Sequence, residues 1–337
     1  MNYQWYPGHM TKARRMMQED SRLIDLVIEL VDARVPMSSR NPDIDEIVRG
    51  KSRIVLLNKA DLADKRYNSQ WIDYFEKKGF YALEINARSG AGIKNIMPLV
   101  QKACQEKMER DRKRGIVNRP VRAMVAGIPN VGKSTFINSF AGKACTKTGN
   151  KPGVTKGKQW IRLNKNLELL DTPGILWPKF EDQKTGERLA MIGSISDEIL
   201  EPQELAIAVI AYLQREYPQL LQERYGVGGT GEHPACAEDV RSKEAGEHPA
   251  CAEDVRSKEA GGQPACGSSL PKDGERGGAE DSEMAKAREL LKEICIARRC
   301  FQKGETPDMP RAARLLLDDF RNGRIGRITL EYPEEWT

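Results

Sequence analysis

The polar and apolar positions of this chain change period roughly halfway along it. In the first part, short apolar runs alternate with stretches of helical spacing. Leu26–Val31, Ile54–Leu57, Tyr81–Ile85 and Val121–Ala126 read as buried strands, each followed by polar loop residues. Between them, Thr11–Asp20 predicts a helix, a second carries Trp71, Ile72, Tyr74 and Phe75 on one face, and a third runs from Ile93. The apolar spacing then gives way to a charged run, Lys107–Gly115. Ser134–Phe140 starts another helix, and Gln159–Leu163 and Leu167–Leu170 are two strands around a turn at Asn164-Lys165-Asn166. Strands alternating with helices predict an α/β parallel sheet covered on both faces.

Beyond about Pro178 the strand pattern stops. Pro202–Glu216 places Leu205, Ala208, Val209, Tyr212 and Leu213 at helical spacing. Glu283–Arg299 does the same with Met284, Ala287, Leu290, Leu291 and Ile294, and Pro310–Arg321 is a third helix, stopped by Asn322-Gly323. The expected organisation is therefore a nucleotide-binding domain over residues 1–178 and an all-helical domain over 179–337. The second is interrupted at 226–282 by a 15-residue repeat: GEHPACAEDVRSKEA stands at 231–245 and again, identically, at 246–260. Small and charged residues dominate that insertion, too few of them apolar to offset the entropy of ordering. His233-x-x-Cys236 and His248-x-x-Cys251 have a zinc-like spacing, but no further fixed ligands accompany them, and duplication of a polar linker explains their recurrence.

Charge changes this picture more than composition does. The chain carries +5 overall, but residues 226–283 hold 13 acidic and six basic side chains, which leaves +12 on the remainder. A compact body with that excess suits a polyanion such as RNA. The blander reading is a soluble basic surface. No apolar run reaches membrane-spanning length, and the N-terminus lacks the apolar block of a secretory signal. Seven cysteines without close pairing argue against a disulfide framework and fit a reducing cytoplasm. A monomer is the expectation.

The chemistry centres on Val121–Thr135, VRAMVAGIPNVGKST. Gly127-x-x-x-x-Gly132-Lys133-Ser134, between an apolar strand and a helix, has the spacing and context of a phosphate-binding P-loop. Glycines let several N–H groups, those of Asn130 to Thr135 among them, face a polyphosphate. Lys133 puts charge on the outer phosphates, and Ser134 offers a hydroxyl to Mg²⁺. Asn58-Lys59-x-Asp61 closes the Ile54–Leu57 strand, where ligands gather in open α/β sheets. A carboxylate there accepts from guanine N1–H and the exocyclic amine, which adenine does not match. Lys59 can lie along the base, and Asn58 can tie its loop to the P-loop. Asn86-Ala87-Arg88 follows the next strand and forms a further loop beside the nucleotide. Asp171-Thr172-Pro173-Gly174 ends the Leu167–Leu170 strand, with the Gly174 N–H meeting the γ-phosphate, Asp171 supporting Mg²⁺ and Thr155 completing its ligands.

The order of these segments is unusual. Ordinary GTP-binding proteins place the P-loop first and the guanine-reading segment last, whereas Asn58–Asp61 here precede Gly127. The same sheet arises from either order by circular permutation. The order, together with GIPNVGKS, DTPG and the N-terminal WYPGHM, resembles the ribosome biogenesis GTPase A family, over nearly the whole chain except the repeat. That resemblance implies a P-loop GTPase sheet with permuted strand order and a C-terminal helical domain contacting rRNA. It also implies GTP hydrolysis on the large ribosomal subunit late in assembly. Many relatives carry a water-orienting glutamine after the DxxG glycine, but Ile175 stands there, and the resemblance nominates His9 as its catalytic substitute. Asn130 resembles the asparagine that ligates K⁺ in related GTPases. The alternatives weighed are an RNA-binding module that holds GTP without hydrolysing it, and a metabolic P-loop ATPase or kinase.

Overall fold

A computed structural model describes residues 6–116, 119–146, 159–180, 182–228 and 276–336. Six strands form one sheet: β1 (Leu26–Asp32), β2 (Ser52–Asn58), β3 (Tyr81–Glu84), β4 (Val121–Gly127), β5 (Gln159–Arg162) and β6 (Leu167–Asp171). Their spatial order is β3-β2-β1-β4-β6-β5. All neighbours run parallel except the β5–β6 edge hairpin. The expected α/β sheet is present. Strands β1, β2 and β4 are buried along nearly their whole length, as the centre of a sheet covered on both faces requires, while β3 and β5 at its edges are more exposed.

The period-two pattern sorts side chains to the two faces. Val55 and Leu57 of β2 join Val31, Ala82, Trp71 and Phe75 in one apolar cluster, beneath helix α3 (Lys65–Lys77). Ile54 and Leu56 point the other way into the main core. That core also takes in α1 (Gly8–Asp20), α4 (Ile96–Ala103) and α6 (Lys133–Ala141). A short α2 (Asp43–Ile47) follows β1, and the charged run becomes a separate α5 (Gln105–Lys113), with no buried residue, after a break at Cys104. No described helix is long and apolar enough to cross a membrane.

The helical part comprises α7 (Gln183–Met191), α8 (Pro202–Glu216), α9 (Pro218–Tyr225), α10 (Arg276–Ala297) and α11 (Met309–Arg321). Helix α8 packs on α10 and α11. One difference from the sequence reading appears. Helix α10 starts at Arg276, inside the expected insertion, because Ala279, Glu280 and the Ala/Glu/Lys-rich residues beyond extend the helix with good propensity. The repeats at 231–260, with their His-x-x-Cys pairs, lie outside the described residues. Cys104, Cys145, Cys295 and Cys300 are free thiols.

The C-terminal residues return to the sheet and pin the two parts together. Ile328 N–H donates to Leu62 O (2.9 Å), Leu330 N–H to Arg34 O (2.8 Å), and Asp64 N–H to Thr329 Oγ1 (3.1 Å). Trp71 Nε1 donates to Glu331 O at 3.3 Å. The Glu331 carboxylate is fully buried; it accepts from the Met37 and Ser38 N–H groups, the Ser38 hydroxyl and Arg188. Glu331→Ala leaves the Met37 and Ser38 N–H groups without their acceptor, while Arg188 keeps Glu335 at 2.7 Å, so the substitution should cost about 1–3 kcal/mol. Urea unfolding of the full chain, wild type against variant, measures it; a loss under ~1 kcal/mol would show that this strap carries little of the fold.

Candidate functional site

The parallel register aligns the C-terminal ends of the strands. Asp32 of β1 stands opposite Asn58 of β2, Leu30 opposite Gly127 of β4, and Val125 opposite Asp171 of β6. Every predicted motif but those of α1 and residue 155 therefore emerges on one edge of the sheet. Strands β2 and β4 flank β1, so their ends lie about two strand spacings, ~10 Å, apart.

Asn58 joins three of these segments. Its buried amide donates to Val131 O in the P-loop (2.7 Å) and accepts from Ala87 N–H (3.0 Å). Asn86 shapes the third loop by accepting from the N–H groups of Arg88 and Ser89, an Asx turn that leaves Arg88 exposed. Ala60 N–H donates to Ile85 O, fixing the segment after Asn58 against the end of β3. Lys59 takes a left-handed φ of 60° and reaches Asp32 with its Nζ (2.8 Å); Asp61 is exposed beside it.

The P-loop is tight enough to need its glycine at 132. Gly132 has φ +100°, and a Cβ there would sit 2.5 Å from Asn58 Nδ2. Lys133 is buried, its Nζ donating to Gly127 O (3.1 Å) and Ile128 O (2.8 Å). Gly174 lies directly against it, for a Cβ would meet Lys133 Nζ and Pro129 Cα at 2.8 Å. Asn130, at φ 58°, points away from this cradle, its Nδ2 donating to Gly193 O after α7 (2.8 Å). Ser134 and Thr135 are half-buried at the start of α6, and Val131 is buried beneath. Thr155 lies outside the described residues.

Asp171 and Lys133 form the electrostatic centre. Burial pushes the Asp171 carboxyl up to about 6, opposed by Lys133. Burial pushes the Lys133 ammonium down to about 8, opposed by Asp171. Asp171 Oδ1 is buried without a hydrogen-bond partner among the described residues. An orphaned carboxylate oxygen on the strand beside the P-loop, near the hydroxyl-bearing start of α6, fits a hard divalent cation held with phosphate. Asp171, with the Ser134 hydroxyl, could hold Mg²⁺.

The segment after Gly174 is anchored from the far side. Asn41 Nδ2 donates to Ile175 O (3.1 Å), and Leu176 N–H donates to Met10 Sδ (3.4 Å). Ile175 is fully buried, so it faces the core rather than solvent water. Met10 is the third residue of α1, which brings the first turn, with exposed His9, alongside the DxxG loop. Sequence reading treated Asp32-Ala33-Arg34 merely as a loop and passed over Asn41. The end of an apolar strand is where ligand-edge residues belong, so Asp32 had a usable signal; Asn41 had none.

Comparison with known proteins places these features. Residues 122–225 match the model of a family described as 50S ribosome-binding GTPase. Ribosome biogenesis GTPase A of Bacillus pumilus is 49% identical over 99% of this chain and 100% of its own length. The Bacillus cereus protein of that name is 42% identical over 100% and 96%. This chain belongs to the ribosome biogenesis GTPase A family. The GNP-bound crystal structure of YlqF from Thermotoga maritima shares the fold, with a TM-score of 0.56 and 24% identity over 96% of this chain and 99% of that one. The chain is thus a GTP hydrolase with GTP as substrate and, as its family implies, Mg²⁺ as the usual metal.

The raised Asp171 pKa has a pH consequence. A carboxyl with a folded value near 6 binds its proton more tightly than the unfolded 3.8. Its stabilising contribution is present below pH 3.8 and is lost as pH rises through 6. A cation bound there competes with that proton. Mg²⁺-dependent GDP affinity should fall by up to about tenfold per pH unit below 6, and Asp171→Asn should flatten that slope. Fluorescent-nucleotide titration from pH 5 to 7.5 reads it out; an unchanged slope in the variant would remove Asp171 from the metal site.

Proposed function

We propose that this GTPase binds the large ribosomal subunit late in its assembly and hydrolyses GTP as a switch gated by that particle. The motif set on one sheet edge, tied by Asn58, carries the reading. The names of the relatives supply the ribosome. Basic residues of the helical part supply the surface: Arg299, Lys303, Arg311 and Arg314 are exposed on α11 and the segment joining α10 to it, which also carries Phe301, itself 38% exposed. Exposed cations and an exposed aromatic ring on one segment suit an RNA backbone and a stacked base. In this reading residues 1–178 take the nucleotide and 179–337 take rRNA.

Within the site, Asp61 reads guanine, the P-loop amides from Asn130 to Thr135 and Lys133 hold the phosphates, and Ala87 and Arg88 border the base. Mg²⁺, held by Ser134, Thr155 and Asp171, would neutralise charge on the outer phosphates. The Gly174 N–H meets the γ-phosphate. His9, delivered by α1 beside the Gly174 loop, orients the attacking water in place of the missing glutamine. Asn130 would ligate K⁺ beside the phosphates only after its side chain leaves Gly193 O, the partner its Nδ2 now holds. Loss of the γ-phosphate releases the Thr155 and Gly174 segments.

Asp61→Asn should exchange guanine for xanthine, because the amide donates where the carboxylate accepted; competition between GTP and XTP measures it. Sedimentation of cell extract with a non-hydrolysable GTP analogue should carry the protein with large subunits. Purified subunits should accelerate phosphate release, and His9→Ala should remove about 10²–10⁴-fold of that rate. A variant as fast as wild type on subunits would strip His9 of its role. No phosphate release from wild type, with or without subunits, would favour the non-hydrolysing RNA-binding module.

A further inference from the structure

Asp32 is a buried carboxylate outside the phosphate site that the hydrolytic roles leave unused. It ends β1 directly opposite Asn58. Its two oxygens hold two cations: Lys59 Nζ donates to Oδ2 at 2.8 Å, and Arg34 clasps both oxygens, Nε to Oδ1 and Nη2 to Oδ2, each at 2.9 Å. Arg34 N–H adds a third bond to Oδ1, and Ser39 Oγ accepts from Asp32 N–H. Burial alone would push this carboxyl up, but Arg34 and Lys59 overrule it and hold it well below the usual carboxylate range. The charge is therefore fixed at every physiological pH.

Arg34 is only 2% exposed, and its remaining contacts lead to the helical part. Nη1 donates to Arg321 O at the C-terminal end of α11 (3.4 Å), where helix carbonyls favour a cation. Its guanidinium lies 6.0 Å from the Phe320 ring centre, and its carbonyl accepts from Leu330 N–H. Arg321 in turn donates to Ala190 O and Met191 O beside Gly193, the residue that binds P-loop Asn130. Lys59 meanwhile adopts a left-handed backbone that non-glycine residues hold only when their surroundings enforce it.

We propose that Asp32 and Arg34 are positioning residues for guanine recognition: Asp32 holds Lys59 in line with the base, and Arg34 makes that hold depend on docked α11. This rests on the reading that Asn58, Lys59 and Asp61 take guanine. A pair serving the base alone should leave the phosphate half of the pocket untouched, which a merely structural role would not.

The test titrates the full chain with GDP and, separately, with inorganic pyrophosphate at fixed Mg²⁺. Asp32→Asn should weaken GDP about tenfold, the scale of one charge-assisted contact, and leave pyrophosphate unchanged. Arg34→Lys, which keeps charge but loses the fork to Asp32 and the reach to Arg321 O, should weaken GDP by a smaller factor in the same selective way. Lys59→Met should weaken GDP alone, and adding it to Asp32→Asn should cost nothing further. Equal weakening of both ligands, or of neither, overturns the proposal while leaving guanine recognition standing. If Asp61→Asn fails to change base preference, the guanine reading falls, and this one with it.

Discussion

The side chain of Asn58 is the joint on which the nucleotide site depends. One amide, buried at the end of β2, gives its hydrogen to the P-loop carbonyl of Val131 and its oxygen to the N–H of Ala87. Both partners are themselves buried, so neither finds water if the amide is lost. Two loops that the chain writes 29 and 73 residues from Asn58 are thereby held at fixed distances from it. The approach is so close that residue 132 has no room for a Cβ. The P-loop glycine thus answers two demands at once, a positive φ and close contact with Asn58.

Permutation gives that joint a mechanical setting. The strand carrying Asp171 leads, through buried Ile175, Leu176, Trp177 and Phe180, straight into α7. The chain then turns at Gly193, whose carbonyl holds Asn130 and whose Cα lies under Arg321 of α11, and its C-terminal strap crosses back over Leu62, Asp64 and Trp71. The helical part therefore touches the phosphate loop at one end and the guanine side at the other.

The central strands β1, β2 and β4 were legible because each is largely apolar along its length and ends in a polar loop, which is the signature of a sheet covered on two faces. The P-loop and the Asn58–Asp61 segment were legible for a different reason: their chemistry demands particular residues at fixed offsets. Helices α2, α7 and α9 were not read. Helix α2 is five residues long, too short for a period to register. Helix α7 carries Gly186 in its middle and α9 begins at a proline, both of which blur the pattern. The strap was invisible because Ile328, Leu330 and Glu331 have no periodicity; only their partners, nearly 300 residues earlier, explain them. The buried pair Asp32–Arg34 shows the same limit at the site. Its two residues are neighbours in sequence, but their significance comes from Lys59 and Arg321, which no local pattern connects.

Lys133 and Asp171 carry the last step of the argument. Burial drives their proton affinities toward each other, to about 8 and about 6, so that each charge near neutral pH is sustained mainly by the other. Lys133 settles on two carbonyls of its own loop, while one oxygen of Asp171 has no donor among the described residues. Two half-desolvated charges of opposite sign are matched by a ligand that is itself split, with anionic phosphate for the ammonium and a divalent cation for the carboxylate. Phosphate without metal satisfies Lys133 but leaves Asp171 facing more negative charge; metal without phosphate does the reverse. In the proposed role such a pocket would favour the two together, and its affinities for nucleotide and for magnesium would be linked through one pair of side chains.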